Sequence, residues 1–313
     1  MFLLSQRQLG CGIASLLLLN LSVWWFLFQD SANTTVSPAS TTGSTGLVSE
    51  MAEKSSFPQA FKTGQRPYSV SPDDAVDVFR TFMLQQPPPA KVPVFAEAKV
   101  GHHYSQVGQD AAIDDILKQK RNGFFIEVGA YDGVSLSNSL FFELNRGWTG
   151  LLIEANPRAY RELIQKDRHA WTTGACISLS NQVELNVDFL AHGMLGGYKT
   201  DRFTAGGALD EESKTNPYVY SVKANCFPLG VMLDAIGVRK VDMFSLDVEG
   251  AELAVLKSID FSTYEISLIV VEENGNGHAL TEFMQSKGYR VHSYVGGSDI
   301  IFALPDLMAG ANS

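Results

Sequence analysis

Apolar residues are spread along this chain in distinct regimes. Leu9–Phe28 is one continuous uncharged run, with Ser15, Asn20 and Ser22 as its polar members. Such a run is long enough to cross a bilayer as a helix. Trp24 and Trp25 lie near its end, where amphipathic rings favour the membrane interface. The run is longer than the apolar part of a cleavable leader, and Gln29 and Asp30 follow it instead of a small-x-small site. The expectation is an uncleaved signal-anchor. Arg7 and the amino terminus precede the span and Asp30 follows it. That bias predicts a cytosolic tail over 1–8, a span over 9–28 and everything beyond in the lumen, a type II topology.

The pattern then turns polar. Ser31–Gln65 is rich in Ser, Thr and Gly and has few aliphatic residues, which predicts disorder. Asn33-Thr34-Thr35 is a glycosylation sequon, usable if lumenal. Ser71-Pro72-Asp73-Asp74 reads as a helix start. Val76, Phe79, Phe82 and Met83 give the following helix one apolar face, which would dock on the main domain or on a second chain. Pro87-Pro88-Pro89 and Pro93 make a stiff spacer. The stem therefore covers 29–100, a globular domain 101–305 and a short tail 306–313.

Within the domain, short buried-strand runs alternate with helical periodicity. Asp110–Gln119 reads as a helix, Phe124–Val128 as a buried strand, Ser135–Asn145 as a helix and Gly150–Ile153 as a second strand. Pro157–Lys166 is helical, and Ala170–Ile177 and Val183–Leu190 read as strands. His192–Pro217 is glycine-rich and aperiodic, as a surface loop or a substrate-facing insertion would be. Tyr218–Phe227, Val241–Leu246 and Ile266–Val271 follow as strands, with helices at Leu229–Ile236, Ala251–Ser258 and Thr281–Lys287. Tyr289–Tyr294 and Ile300–Leu304, joined at Gly296-Gly297, close the domain as a hairpin. Alternating strands and helices predict a doubly wound, Rossmann-like α/β sheet, mostly parallel and finished by an antiparallel hairpin.

Composition narrows this picture. A formal net charge of −10 disfavours nucleic acid as a partner, because a phosphate backbone demands a basic surface. Of the 3 cysteines, Cys11 lies in the span, leaving Cys176 and Cys226 in the domain. An oxidising compartment allows them to bond, but two buried free thiols are the more common outcome. No Cys/His cluster suggests zinc.

The chemistry gathers at the strand ends. Glu127-x-Gly129-x-x-Asp132-Gly133 leaves the first strand, and Glu154 ends the second. Strand, glycine turn, helix and acid-capped strand form a nucleoside-binding unit. The spacing is not that of a dinucleotide turn, and no Lys-Ser/Thr follows to make a phosphate loop. A turn with acids and no cation suits a ligand with an ammonium group, such as S-adenosylmethionine. Glu127 or Asp132 would face the ammonium, Glu154 the ribose hydroxyls, and Gly129 and Gly133 would admit close backbone approach. Ser105 to Asp110 could close over the ligand through Gln109. Asp247 ends a later strand and points toward the same crevice, with Glu249 close behind. Asp247, Glu273 and Asn274 offer oxygen ligands for a divalent cation, but general-base roles explain the acids equally well, and no metal is expected. His278 and His292 are other groups able to accept a proton.

These motifs carry a family likeness. Ser105-Gln106-x-Gly108-Gln109-Asp110, Phe125 to Gly133, Gly150-Leu151-Leu152-Ile153-Glu154-x-Asn156-Pro157 and Leu246 to Glu252 resemble, in order, the FkbM-type methyltransferase domain. The resemblance implies a class I S-adenosylmethionine-dependent fold and O-methylation of a hydroxyl on a glycan, lipid or small molecule. It places Gln109, Glu127, Gly129, Asp132, Gly133, Glu154 and Asn156 at the cofactor, and Asp247 and Glu249 at the catalytic edge. Many members carry Lys-Ile-Asp where this chain has Ser245-Leu246-Asp247. The anchor and domain together also resemble invertebrate Star-like proteins. That likeness implies residence in the endoplasmic reticulum or Golgi, and an alternative role as a trafficking factor that binds membrane-protein cargo without turnover.

Overall fold

The computed structural model describes residues 71–89, 99–192, 195–198 and 219–308. All of them fall in one compact unit, Phe57–Ser313. The signal-anchor, the sequon and the N-terminal part of the stem lie outside the described residues. Among the described residues no helix is long and apolar enough to cross a membrane.

The main sheet is 8-stranded. Its core strands are β2 (Phe124–Val128), β3 (Thr149–Ile153), β4 (Trp171–Thr173), β9 (Lys240–Leu246) and β10 (Glu265–Glu272). They pair in parallel in the order β4-β3-β2-β9-β10. The hairpin β11 (Arg290–Val295) and β12 (Asp299–Ala303) adds antiparallel to β10. This is the doubly wound sheet with a closing hairpin that the periodicity predicts. The strand order reverses between β2 and β9, where a ligand crevice is expected at the strands' carboxyl ends.

Strand alternation sorts side chains between two cores. Ile126, Leu151, Phe244 and Ile269 pack on one face, and Phe125, Leu152, Met243 and Leu268 on the other. Continuing the second set by twos gives Glu127, Glu154, Ser245, Asp247 and Glu272. One face of the sheet therefore ends in polar side chains as its strands leave the core.

The stem helix α1 (Pro72–Val78), capped by Ser71, continues as a π-helical turn through Phe79–Met83. It docks on the domain. Phe79 is fully buried, with its ring 5.1 Å from that of Phe227. The Arg80 Nε donates to the Ala235 carbonyl at 3.0 Å. Leu84–Gln85, strand β1, then pairs antiparallel with β4 and covers that edge of the sheet.

The run expected as one strand, Ala170–Ile177, divides at Gly174. Its first part is β4, and its second, β5 (Cys176–Ile177), joins a separate 4-stranded sheet. The other members are β6 (Glu184–His192), β7 (Leu195–Tyr198) and β8 (Tyr220–Phe227). β6 pairs antiparallel with both β7 and β8, while β5 lies parallel to β8. Part of the glycine-rich segment thus forms β7; residues 193–194 and 199–218 lie outside the described residues. Cys176 and Cys226 face each other across β5 and β8 and form a disulfide, not the free thiols expected. The bond closes a loop with a sequence separation of 50. In the chain-entropy account, such a cross-link stabilises by about 4 kcal/mol.

Candidate functional site

The site begins at the turn after β2. Gly129 has φ +81, and a Cβ there would strike the Asp247 carbonyl oxygen. Only glycine lets the two strand ends come this close. The turn is held from beneath. The Glu127 carboxylate accepts from Ser137 Oγ at 2.8 Å, Ser139 Oγ at 2.5 Å and Asn138 N at 2.7 Å. Asp132 accepts from Val134 N, Ser135 N and Ser135 Oγ. Buried Arg168 donates to the Gly133 carbonyl, to Ser139 Oγ and, at 2.7 Å, to Glu143. A Cβ on Gly133 would meet Leu163 and Arg168. Glu127, Asp132 and Gly133 therefore shape the loop in the structure, with their polar atoms engaged inside it.

Glu154 is placed differently. It is 8% exposed at the end of β3. Its carboxylate accepts from Tyr131 N and Asn156 N, each at 2.7 Å, one on each oxygen. Burial pushes its pKa up to about 7, against the lowering effect of those two donors. Each oxygen keeps a second lone pair for a hydroxyl. Asn156 caps helix α2 (Pro157–Leu163) through a bond from Arg158 N, and it also accepts from Tyr220 Oη. Gln109 donates to Asp299 at 2.7 Å and accepts from Val107 N, tying its loop to the closing hairpin.

Asp247 lies where the two halves of the sheet meet. It is open to the cleft, yet protein surrounds it on its other sides. Burial raises its pKa well above the ordinary carboxylate range, and Glu272, Glu249, Glu252 and Asp299 raise it further. Burial raises the pKa of Glu272 as well, and the nearby acids Asp299 and Glu252 raise it further. Glu249 has φ 56 and is pushed up to about 7 by burial and by its neighbours Glu272 and Glu252. The carboxylates of Asp247, Glu252 and Glu272 converge, with ligand-capable oxygens within 4.8 Å of one another. Asn274 Nδ2 bridges Glu252 at 3.1 Å and Glu272 at 2.8 Å. The second strand end thus supplies Glu272 to this group, where sequence reasoning had chosen Glu273. Glu252 opens the helix Glu252–Ser258, accepts from Val248 N and Gly250 N, and so holds the turn after Asp247. The period-two pattern of β10 was the signal that could have found Glu272. Asn138 was also missed: its Nδ2 donates to Ser245 Oγ at 2.9 Å, while its buried Oδ1 has no partner. Neither His278 nor His292 lines the cleft.

The cleft has a cavity volume of about 50 Å³ and opens to solvent. Gly129, Glu154, Asn156, Asp247 and Glu249 line one side, and Cys176, Phe189 and Gly196 of the second sheet line the other.

The sheet, its closing hairpin and the acid-lined crevice define a mixed α/β fold of the methyltransferase type. The chain belongs to the methyltransferase FkbM domain family, whose profile matches residues 127–291. Among solved structures it is similar to an FkbM methyltransferase from Methylobacillus flagellatus, at 12% identity and TM-score 0.36, over 78% of this chain and 58% of that one. It is also similar to a precorrin-6y C5,15-methyltransferase from Geobacter metallireducens, at 13% identity and TM-score 0.34, over 68% of this chain and 98% of that one. No curated protein matches the chain in sequence.

Proposed function

We propose that the protein is an S-adenosylmethionine-dependent O-methyltransferase, anchored in the secretory pathway by Leu9–Phe28 with its domain in the lumen. The observation that carries the cofactor reading is Glu154: a buried carboxylate at the crevice, with one acceptor site left on each oxygen. Two vicinal ribose hydroxyls match that pair of acceptors. Gly129, where a Cβ would meet the Asp247 carbonyl oxygen, lines the same cleft as Glu154. S-adenosylmethionine would supply a methyl group on a sulfonium, open to in-line attack.

The chain's own residues would do the rest. Asp247, at the cleft, receives the proton of the acceptor hydroxyl as it attacks. Its raised pKa, set by burial and the acids around it, strengthens it as a base once ionised. Asn274 and Glu252 fix Glu272 and the turn, so the pair is aligned before the acceptor arrives. On the cofactor side, the Arg158 guanidinium lies 4.1 Å from the centre of the Tyr220 ring, with Arg161 also near Tyr220. Asp247 and Glu249 are raised first by burial and then by neighbouring acids. A neutral hydroxyl acceptor suits that setting better than a phosphorylated one. The disulfide supports the lumenal placement, since such bonds persist in oxidising compartments.

The test is methyl transfer from labelled cofactor to a panel of hydroxyl acceptors of glycan, lipid and small-molecule type. Asp247→Asn should lower turnover by about 100-fold or more while leaving cofactor binding intact. Equal turnover in that variant would remove Asp247 from the chemistry. Protease protection of the domain in sealed microsomes should accompany lumenal placement; digestion without detergent would reverse the topology.

A further inference from the structure

Tyr220 opens β8, and its side chain reaches from the second sheet to the carboxyl end of the main one. Its Oη donates to Asn156 Oδ1 at 2.5 Å, and the Arg158 guanidinium lies over its ring. The same Asn156 Oδ1 accepts from Arg158 N at 3.0 Å. Two donors use both lone pairs of that oxygen, so the carboxamide is held in one orientation. The main-chain N–H of Asn156 in turn donates to Glu154 at 2.7 Å. A chain of bonds therefore runs from the second sheet to the carboxylate that ends β3. The other donor to Glu154 is Tyr131 N, and Tyr131 has φ 49, a left-handed backbone uncommon outside glycine. Such residues persist where the surroundings over-determine them, and they cluster at ligand sites. Tyr220 is only partly buried, so water could serve its hydroxyl; instead the phenol bridges the two sheets. Burial raises the phenols of Tyr131 and Tyr220, and the Glu154 charge adds to both. Glu162 and Asp132 also raise Tyr131, while Arg158 and Arg161 lower Tyr220.

We propose that Tyr220 is a positioning residue for the cofactor: through Asn156 it fixes the Glu154 carboxylate that receives the ribose hydroxyls. The second sheet thereby takes part in cofactor recognition. The inference rests on the cofactor reading of the crevice, and its test separates the two. Loss of the phenol hydroxyl leaves Asn156 Oδ1 with Arg158 N as its donor, and the Asn156 N–H aims less firmly at Glu154. That N–H favours the ionised carboxylate, as a hydrogen bond to a charged form does. Once it loosens, Glu154 keeps its proton to higher pH, and fewer chains present the ionised pair of acceptors near neutrality. Tyr220→Phe leaves the ring and its contact with Arg158 in place, so it isolates the hydroxyl.

The experiment uses the full-length chain in detergent, with and without Tyr220→Phe, each in the natural and the Glu154→Gln background. Infrared titration, taken as the difference from Glu154→Gln, reads the Glu154 midpoint with no cofactor present. In Tyr220→Phe that midpoint should rise from about 7 by about half a pH unit. Calorimetry should then show S-adenosylmethionine bound about threefold more weakly at about pH 6, the ratio a half-unit shift produces, with the gap closed by about pH 9. In the Glu154→Gln background, Tyr220→Phe should change nothing. A tyrosine with a structural role alone would weaken binding equally at every pH and in both backgrounds, and that result overturns the proposal. So does an unmoved Glu154 midpoint. A raised midpoint with no cofactor bound by the natural protein overturns the cofactor reading instead, and with it the role of Tyr220 in binding. If Tyr220→Phe does not fold, Asn156→Ser decides. It keeps a helix-capping oxygen but is too short to reach Tyr220. It should raise the Glu154 midpoint in the same way, and an unmoved midpoint there overturns the proposal as well.

Discussion

Glu154 holds one backbone N–H on each oxygen, and burial raises its pKa to about 7. Two hydroxyl donors arriving at those oxygens favour the ionised form. Cofactor affinity should therefore rise with pH up to about 7 and then level off. Glu154→Gln turns one acceptor into a donor, so affinity at pH 8 should fall by roughly 10- to 100-fold, matching about 1.5–3 kcal/mol for charge-assisted bonds. The pH dependence should vanish with it. Titration calorimetry of both proteins across pH checks this. The same shift has a sign for stability. The folded carboxyl keeps its proton up to about 7, while the unfolded one loses it near its ordinary value of 4.5. The cofactor-free protein is thus stabilised by this group at low pH and loses that contribution as pH rises from about 4.5 to 7. Residue identity at the crevice was largely legible in the sequence, because acids that end apolar strands have few bland explanations. Residue role was less so. Glu127 and Asp132 read as ligand contacts, yet their oxygens are engaged by Ser137, Ser139, Val134 and Ser135, and only coordinates tell an acid that holds a loop from one that faces a ligand.

At the scale of elements, α1 with its π-helical turn is a part of the domain that the sequence assigned to the stem. Its apolar face was visible, but its partner was not, since periodicity marks a buried face without naming what buries it. The partner is α3 (Leu229–Ile236) with the Phe227 ring, through Phe79 and Arg80. Phe79→Ala should cost about 3–5 kcal/mol and uncover the β4 edge; thermal unfolding of the full chain measures it, and a shift of less than a degree would mean that the helix is only draped on the surface. The second sheet was hidden for a related reason. β6 and β8 were each recognised as strands, but alternation does not specify whether a strand extends the main sheet or pairs elsewhere. Gly174 separates β4 from β5, and a Cβ there would press on the Tyr160 ring at 3.0 Å. That crowding helps explain why the chain changes sheets at this point.

For the whole molecule, charge and topology agree. The formal charge of −10 has a local expression in the carboxylates around Asp247, and S-adenosylmethionine carries the ammonium and sulfonium such a field would favour. The order of the sheet was legible because the switch point lies between two recognised motifs, Glu127 to Gly133 and Leu246 to Glu252. The central claim is that this crevice holds S-adenosylmethionine. Calorimetric titration of the oxidised full-length chain with that cofactor tests it most directly. The account predicts saturable binding of one cofactor per chain, weakened in Glu154→Gln and retained in Asp247→Asn. No binding, or binding indifferent to Glu154, would contradict it.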